Sequence, residues 1–244
     1  MSVMILADPA EVAAAAAQLV VEYMKEVPAP VLGLAAGATP IQMYARLVLA
    51  HDAGLDFSGA TAFALDEYVG LSSAHPASCT AILRSAFLDR VNIAARNQHL
   101  LADIAPHLAQ DRATAHEAAI TNCGGIGIQF LGLGRNGHIG FNEPGADPAG
   151  RTRVVALSDS TRVVNRPGFA PDGETPPRAV TMGVGTILSA RKVVLLATGI
   201  AKADIVQRMI EGPVSADVPA SFLQSHPDWL VLVDQEAASR LTRT

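Results

Sequence analysis

The chain has 244 residues, half of them hydrophobic and 17% charged, a balance that supports a sizeable core and excludes wholesale disorder. A net charge of −5 with no Lys/Arg cluster argues against nucleic acid or an anionic membrane as the main partner. Cys79 and Cys123 stand apart without a CxxC, which argues against a disulfide framework or a thiolate metal site. No leader pattern or bilayer-length apolar run is present, so the expected location is the cytoplasm.

In chain order, residues 3–6 read as a strand. Asp8-Pro9-Ala10-Glu11 then reads as a helix start, with Asp8 capping, Pro9 at the first helical position and Glu11 reaching back. Residues 31–34 form the next strand, and Thr39-Pro40 opens a helix to about residue 51. A third strand spans 61–65, a helix 78–88, and a further helix 106–121 precedes a strand at 126–133. Later strands fall at 154–157, 193–197 and 230–233, with helices at 202–210 and 220–224. Continuous apolar strands between helices predict a single three-layer, Rossmann-like α/β domain over residues 1–244, its mostly parallel sheet covered by helices on both faces. Ligands bind beyond the carboxyl ends of such strands, which places the chemistry after Leu34, Leu65 and Leu133.

Three polar segments stand there. Ala35-Ala36-Gly37-Ala38-Thr39-Pro40 offers small side chains and a helix N-terminus, which together suit an anion, and no Lys follows the glycine as a Walker loop requires. Asp66-Glu67 sets two carboxylates at a buried strand end, where one can serve as a base for a proton beside a carbonyl. The third segment, LGLGRNGHIGFNEPG over 131–145, formally contains GxGxxG. A dinucleotide fingerprint must open a helix, however, and Gly140, Pro144, Gly145 and Pro148 work against one. His138 and Glu143 on that loop suit a proton relay, the imidazole oriented by the carboxylate. The histidines show no metal-ligand spacing, and neither a metal nor a cofactor is expected.

Taken with LGLAAGATPIQMY, FALDEYVGL, RTRVVALSDSTR, AVTMGVGTIL and LLATGIAKADIV, these segments resemble the glucosamine-6-phosphate deaminase family through most of the chain. The resemblance implies opening of a pyranose, proton transfer between C2 and C1, and loss of ammonia to give a ketose phosphate. It implies Asp66 as the base, His138 as the ring-opening shuttle oriented by Glu143, and Asn136 where some members carry Asp. A phosphate clamp is implied at Gly37, Ala38, Thr39, Arg166 and Lys202, and the long run 158–178, rich in Gly and Pro and without periodicity, reads as a lid. The implied partner is a small aminosugar phosphate; a homo-oligomer stays open, and neither nucleic acid nor membrane is expected. Two other readings are the galactosamine 6-phosphate epimer as substrate and a non-catalytic sugar-phosphate sensor, whose helix-turn-helix would have to precede the strand at 3–6. Allosteric activation, known in some members, is expected to be absent. Arg153 is kept at that site, whereas Val155 and Ala146 replace a lysine and a serine, and the chain stops at Thr244.

Overall fold

The computed structural model describes residues 2–169 and 173–242. In chain order its elements are β1 (Ser2–Leu6), α1 (Pro9–Glu26), β2 (Val31–Leu34), α2 (Ala38–Asp52), β3 (Thr61–Ala64), β4 (Asp66–Tyr68), α3 (Cys79–Ala86), β5 (Gln98–His99) and α4 (Ala109–Asn122). There follow β6 (Ile128–Gly132), β7 (Arg153–Ala156), α5 (Asp159–Asn165), β8 (Arg178–Thr181), α6 (Val184–Leu188), β9 (Lys192–Ala197), α7 (Ala203–Glu211), β10 (Trp229–Asp234) and α8 (Gln235–Ala238).

Seven strands lie side by side in the order β1-β10-β9-β6-β2-β3-β5, every pairing parallel. Alternate side chains feed two cores, as strand geometry requires. Leu32, Leu34, Phe130, Leu196 and Leu232 pack with Val12, Val20, Met43, Leu47 and Leu83 of α1, α2 and α3 on one face. Val31, Leu131, Leu195 and Val233 pack with Ile120, Ile187, Val206 and Met209 of α4, α6 and α7 on the other. Each fully buried side chain of this size contributes roughly 1.5–3 kcal/mol, which is why the central strands read as unbroken apolar runs. The first helix forms as its sequence dictates. Asp8 Oδ1 accepts from the Glu11 N–H at 2.9 Å and Glu11 Oε2 accepts from the Ala7 N–H at 3.0 Å, while Val12, Ala16 and Val20 face the sheet.

Several expectations need correction. A second, antiparallel sheet runs β4-β8-β7, so the segment at 154–157 belongs there and not in the main sheet. Asp66 and Glu67, expected at the end of the third strand, instead open a strand of their own, β4, with Leu65 between it and β3. The stretch at 220–224 is a 3₁₀ helix spanning Pro219–Ser225, and the helix expected from 106 starts at Ala109. The short elements β5, β8, α5, α6 and α8 carry too few residues to show a period. No helix among the described residues is long and apolar enough to cross a membrane.

From β2 the chain proceeds through α2 to β3 on one side, and from β6 it continues to β9 on the other. The two connections diverge, and a crevice opens at the carboxyl ends of β2 and β6, the topological switch point where such sheets bind ligands.

Candidate active site

A cavity of about 480 Å³ occupies that crevice, within the size range of small-molecule sites. Its walls come from the loop after β2, the start of β4, the loop after β6, the start of α3, one face of α5, and Lys202. All three strand ends marked by the sequence meet there.

The floor on one side is the N-terminus of α2. Gly37 caps it without a side-chain hydrogen bond, and the first backbone bond within the helix runs from the Ile41 N–H to the Gly37 oxygen. The N–H groups of Ala38 and Thr39 therefore have no partner within the helix, and Pro40 contributes none. Gly37, Ala38 and Thr39 all line the cavity, so the helix turns its positive end toward any anion placed there. Lys202 enters from the far side, its Nζ donating to the Leu133 oxygen. Partial burial and the Arg135 guanidinium lower its pKa. Arg135 lines the same wall, a cation that the sequence reading passed over.

Arg166 stands elsewhere. It is exposed, opens a 3₁₀ turn spanning Arg166–Phe169, and does not line the cavity. The inward positions of this segment belong to Ser160, Thr161, Val164 and Asn165 of α5, and Asn165 donates to the Tyr68 hydroxyl at 3.0 Å. Arg166 comes one residue past that face and directly precedes Pro167. The expected lid at 158–178 is thus built partly from a helix capped by Ser158, whose Oγ accepts from the Thr161 N–H at 3.3 Å. Residues 170–172 of it lie outside the described residues.

The two carboxylates of β4 have opposite fates, because neighbouring strand residues point to opposite faces. Glu67, 1% exposed, accepts from the Tyr68, Cys79 and Thr80 N–H groups and from Ser78 Oγ, at 2.6–3.1 Å, and so holds the first turn of α3. Asp66, 8% exposed, faces the cavity. Cys79 Sγ donates to its Oδ1 at 3.4 Å. Burial outweighs that bond, Glu67 adds repulsion, and the pKa of Asp66 is pushed up to about 7.

On the loop after β6, no helix forms between residues 133 and 152, so the GxGxxG match is not a dinucleotide fingerprint. Its glycines make room instead. A Cβ at Gly134 would lie 2.4 Å from His138 Nδ1. Gly140 has φ +56°, and a Cβ there would meet Thr181 Oγ1 at 2.8 Å and Asp66 Oδ2 at 3.3 Å. His138 lines the cavity, and the Asn136 Oδ1 accepts from its backbone N–H at 3.2 Å. Asn136 therefore shapes the turn through the His138 backbone. Burial lowers the His138 pKa, Glu143 opposes that, and Lys202 reinforces it. Glu143 sits outside the cavity wall, its Oε2 accepting from the Ser158 N–H at 3.2 Å. His138 Nδ1 and Glu143 Oε1 are both buried without a hydrogen-bond partner, so the carboxylate acts on the imidazole through its charge and no hydrogen bond joins these two atoms. Among the described residues, no group of three or more His, Cys, Asp and Glu side chains is placed to hold a metal ion.

The family model described as glucosamine-6-phosphate isomerases/6-phosphogluconolactonase matches residues 7–232. Glucosamine-6-phosphate deaminases of Shewanella loihica and Rhodopirellula baltica are 46% and 47% identical over 99% and 98% of this chain, matches that cover 90% and 95% of those proteins. A solved structure of a monomeric glucosamine-6-phosphate deaminase is similar at TM-score 0.95 and 39% identity, covering 99% of this chain and all of that one. The 6-phosphogluconolactonase of Trypanosoma cruzi, at TM-score 0.80 and 22% identity over 99% and 97% of the two chains, shares the fold.

Proposed function

The chain belongs to the glucosamine-6-phosphate isomerase/6-phosphogluconolactonase family, and within it we propose a cytoplasmic enzyme of aminosugar breakdown that converts glucosamine 6-phosphate and water to fructose 6-phosphate and ammonia. One observation carries this reading. A buried carboxylate with a raised pKa, Asp66, shares a cavity with a half-buried histidine and a helix N-terminus flanked by two cations. A lactone hydrolase needs no base for a carbon-bound proton, and the deaminases are the relatives at about twice the identity of the lactonase.

The phosphate rests on the Ala38 and Thr39 N–H groups, with Lys202 and Arg135 supplying charge-assisted contacts. That anchors the far end of the sugar and lays C1 and C2 toward His138 and Asp66. Burial keeps His138 neutral near pH 7, so it can take the proton of the C1 hydroxyl and return it to the ring oxygen as the ring opens. Glu143 steadies the imidazolium formed on the way. Asp66, with a pKa about 7, removes the C2 proton and delivers it to C1. A proton of the amino group passes to the C1 oxygen as C2 becomes an imine, which takes up water and releases ammonia.

The test is to incubate the protein with each hexosamine 6-phosphate, without added metal or nucleotide, and measure ammonia. Glucosamine 6-phosphate is the expected substrate. Turnover of the galactosamine epimer alone, of a lactone alone, or activity abolished by EDTA would overturn the assignment.

A further inference from the structure

The reaction as proposed gives no task to one group in the cavity wall, the thiol of Cys79. Cys79 is the first residue of α3, is buried, and lines the cavity. Its N–H donates to Glu67 Oε1 at 3.1 Å, while Ser78 Oγ and the Thr80 N–H bind the other oxygen of the same carboxylate. Those bonds pin the start of α3 against β4 and bring Cys79 Sγ to 3.4 Å from Asp66 Oδ1. Asp66 accepts no other hydrogen bond from the described residues, and its Oδ2 is left open beside Gly140.

We propose that Cys79 is a positioning residue for the base: its thiol holds Oδ1, fixes the rotation of the carboxylate, and leaves Oδ2 to meet the substrate carbon. The inference rests on Asp66 acting as that base. A buried carboxylate has lost most of its water, so a single donor matters more there than at a surface. A thiol is a weak donor, but a bond to an ionised acceptor is stronger than one between neutral groups. Burial and the two carboxylates keep the Cys79 thiol protonated well beyond its ordinary range, so it remains a donor wherever the enzyme works. Among the other groups near Asp66, Glu67 on β4 repels its charge, while Tyr68 on β4 and Tyr44 on α2 stay neutral through burial. His138, Arg135 and Lys202 line the cavity from the loop after β6 and from before α7. None of these donates a hydrogen bond to Asp66, so Cys79 is the partner that a single substitution removes.

The experiment is the pH profile of kcat/KM for Cys79→Ala and Cys79→Ser beside the parent. Substrate ionisations are common to all three and cancel in the comparison. Without the donor, ionised Asp66 is less favoured, so the acid limb of Cys79→Ala should rise by about half to one pH unit. Cys79→Ser keeps a donor and should return the limb to the parent position or below it. A folded Cys79→Ala with an unmoved limb, or a Cys79→Ser limb that follows the alanine variant, overturns the proposal. Should the alanine variant not fold, Cys79→Val fills the same space without a donor and carries the same comparison. Asp66→Asn separates this from the function itself. Retained exchange of the C2 proton with solvent in that variant would remove Asp66 as the base, whereas an inactive Asp66→Asn beside an unmoved Cys79→Ala limb removes only the role of Cys79.

Discussion

Asp66 and Glu67 are adjacent in sequence and chemically alike, yet one faces the cavity while the other is spent on four hydrogen bonds to its own fold. For Asp66 the expected result of Asp66→Asn is a rate loss of ~10²–10⁴-fold or more with substrate binding largely kept, checked by single-turnover kinetics. The same variant should be more stable than the parent at alkaline pH. The folded-state pKa is about 7 against an ordinary 3.8, so the stabilising contribution is whole below the unfolded value and is lost as pH rises through 7. Removing the charge should recover on the order of 2–4 kcal/mol in substrate-free protein at pH 8 and nothing at pH 3. Urea titrations at the two pH values measure it, and an equal change at both would mean that burial of the charge is not the cause. At the opposite end of the cavity, Lys202→Ala and Arg135→Ala should each raise KM for the phosphorylated sugar far more than for free glucosamine. If both substrates suffer equally, the phosphate is held elsewhere.

Among the elements, α3 is the one on which the site leans most. It has eight residues and too few apolar contacts to stand alone. Glu67 satisfies two of the N–H groups that its first turn leaves open, Cys79 and Thr80, and Ser78 Oγ accepts a third from Ala81 at 3.3 Å. Glu67→Ala leaves buried donors without an acceptor and should cost about 2–3 kcal/mol, read from the midpoint of urea unfolding. Because α3 carries Cys79 to Asp66, the loss should also reach the kinetics. A variant that unfolds as easily as the parent would show that the cap contributes nothing. The N-terminus of α2 illustrates the opposite arrangement, since no side chain caps it and its open N–H groups face the cavity. One helix start is satisfied by protein, and the other stands open to the cavity.

At the scale of the whole molecule, the positions tied by resemblance to an activator site are engaged with the fold itself, Ala146 buried and Arg153 and Val155 half-buried. Ala146 is buried in an apolar cluster with Val184 and Phe222, and Val155 packs against the cluster of Tyr68, Phe141 and Phe169. Arg153 donates to Asn142 Oδ1 at 2.9 Å, while the Asn142 side-chain amide ties the loop after β6 to the Ile139 and Met182 oxygens. An arginine engaged in that way, beside an alanine and a valine, offers a phosphate ester at least one charge-assisted contact fewer, a loss of ~1.5–3 kcal/mol. A ligand shifts an equilibrium only by its differential affinity for two states. The saturation curve should therefore be hyperbolic and unmoved by N-acetylglucosamine 6-phosphate. A sigmoidal curve that the activator straightens would show that a different site does this work.

What the sequence by itself determined is local or periodic. The Asp8 cap, the apolar runs of β2, β6, β9 and β10, and the glycines around His138 each act on residues a few positions away, and the parallel α/β order follows from their alternation. The trio proposed for catalysis was legible as residue types at strand ends, and the structure brings Asp66 and His138 to one cavity, with the Glu143 charge acting on the histidine. Tertiary structure alone decided the rest. The sheet of β4, β8 and β7 joins segments up to 115 residues apart through strands of three or four residues, too short to announce themselves. Which of two adjacent carboxylates faces the cavity, and which arginine lines it with Lys202, depends on the face each side chain occupies. That Cys79 touches Asp66 depends on how α3 is pinned against β4. These are contacts between segments distant in the chain. Local propensity does not encode them, and only the packing of helices on two sheets brings the partners together.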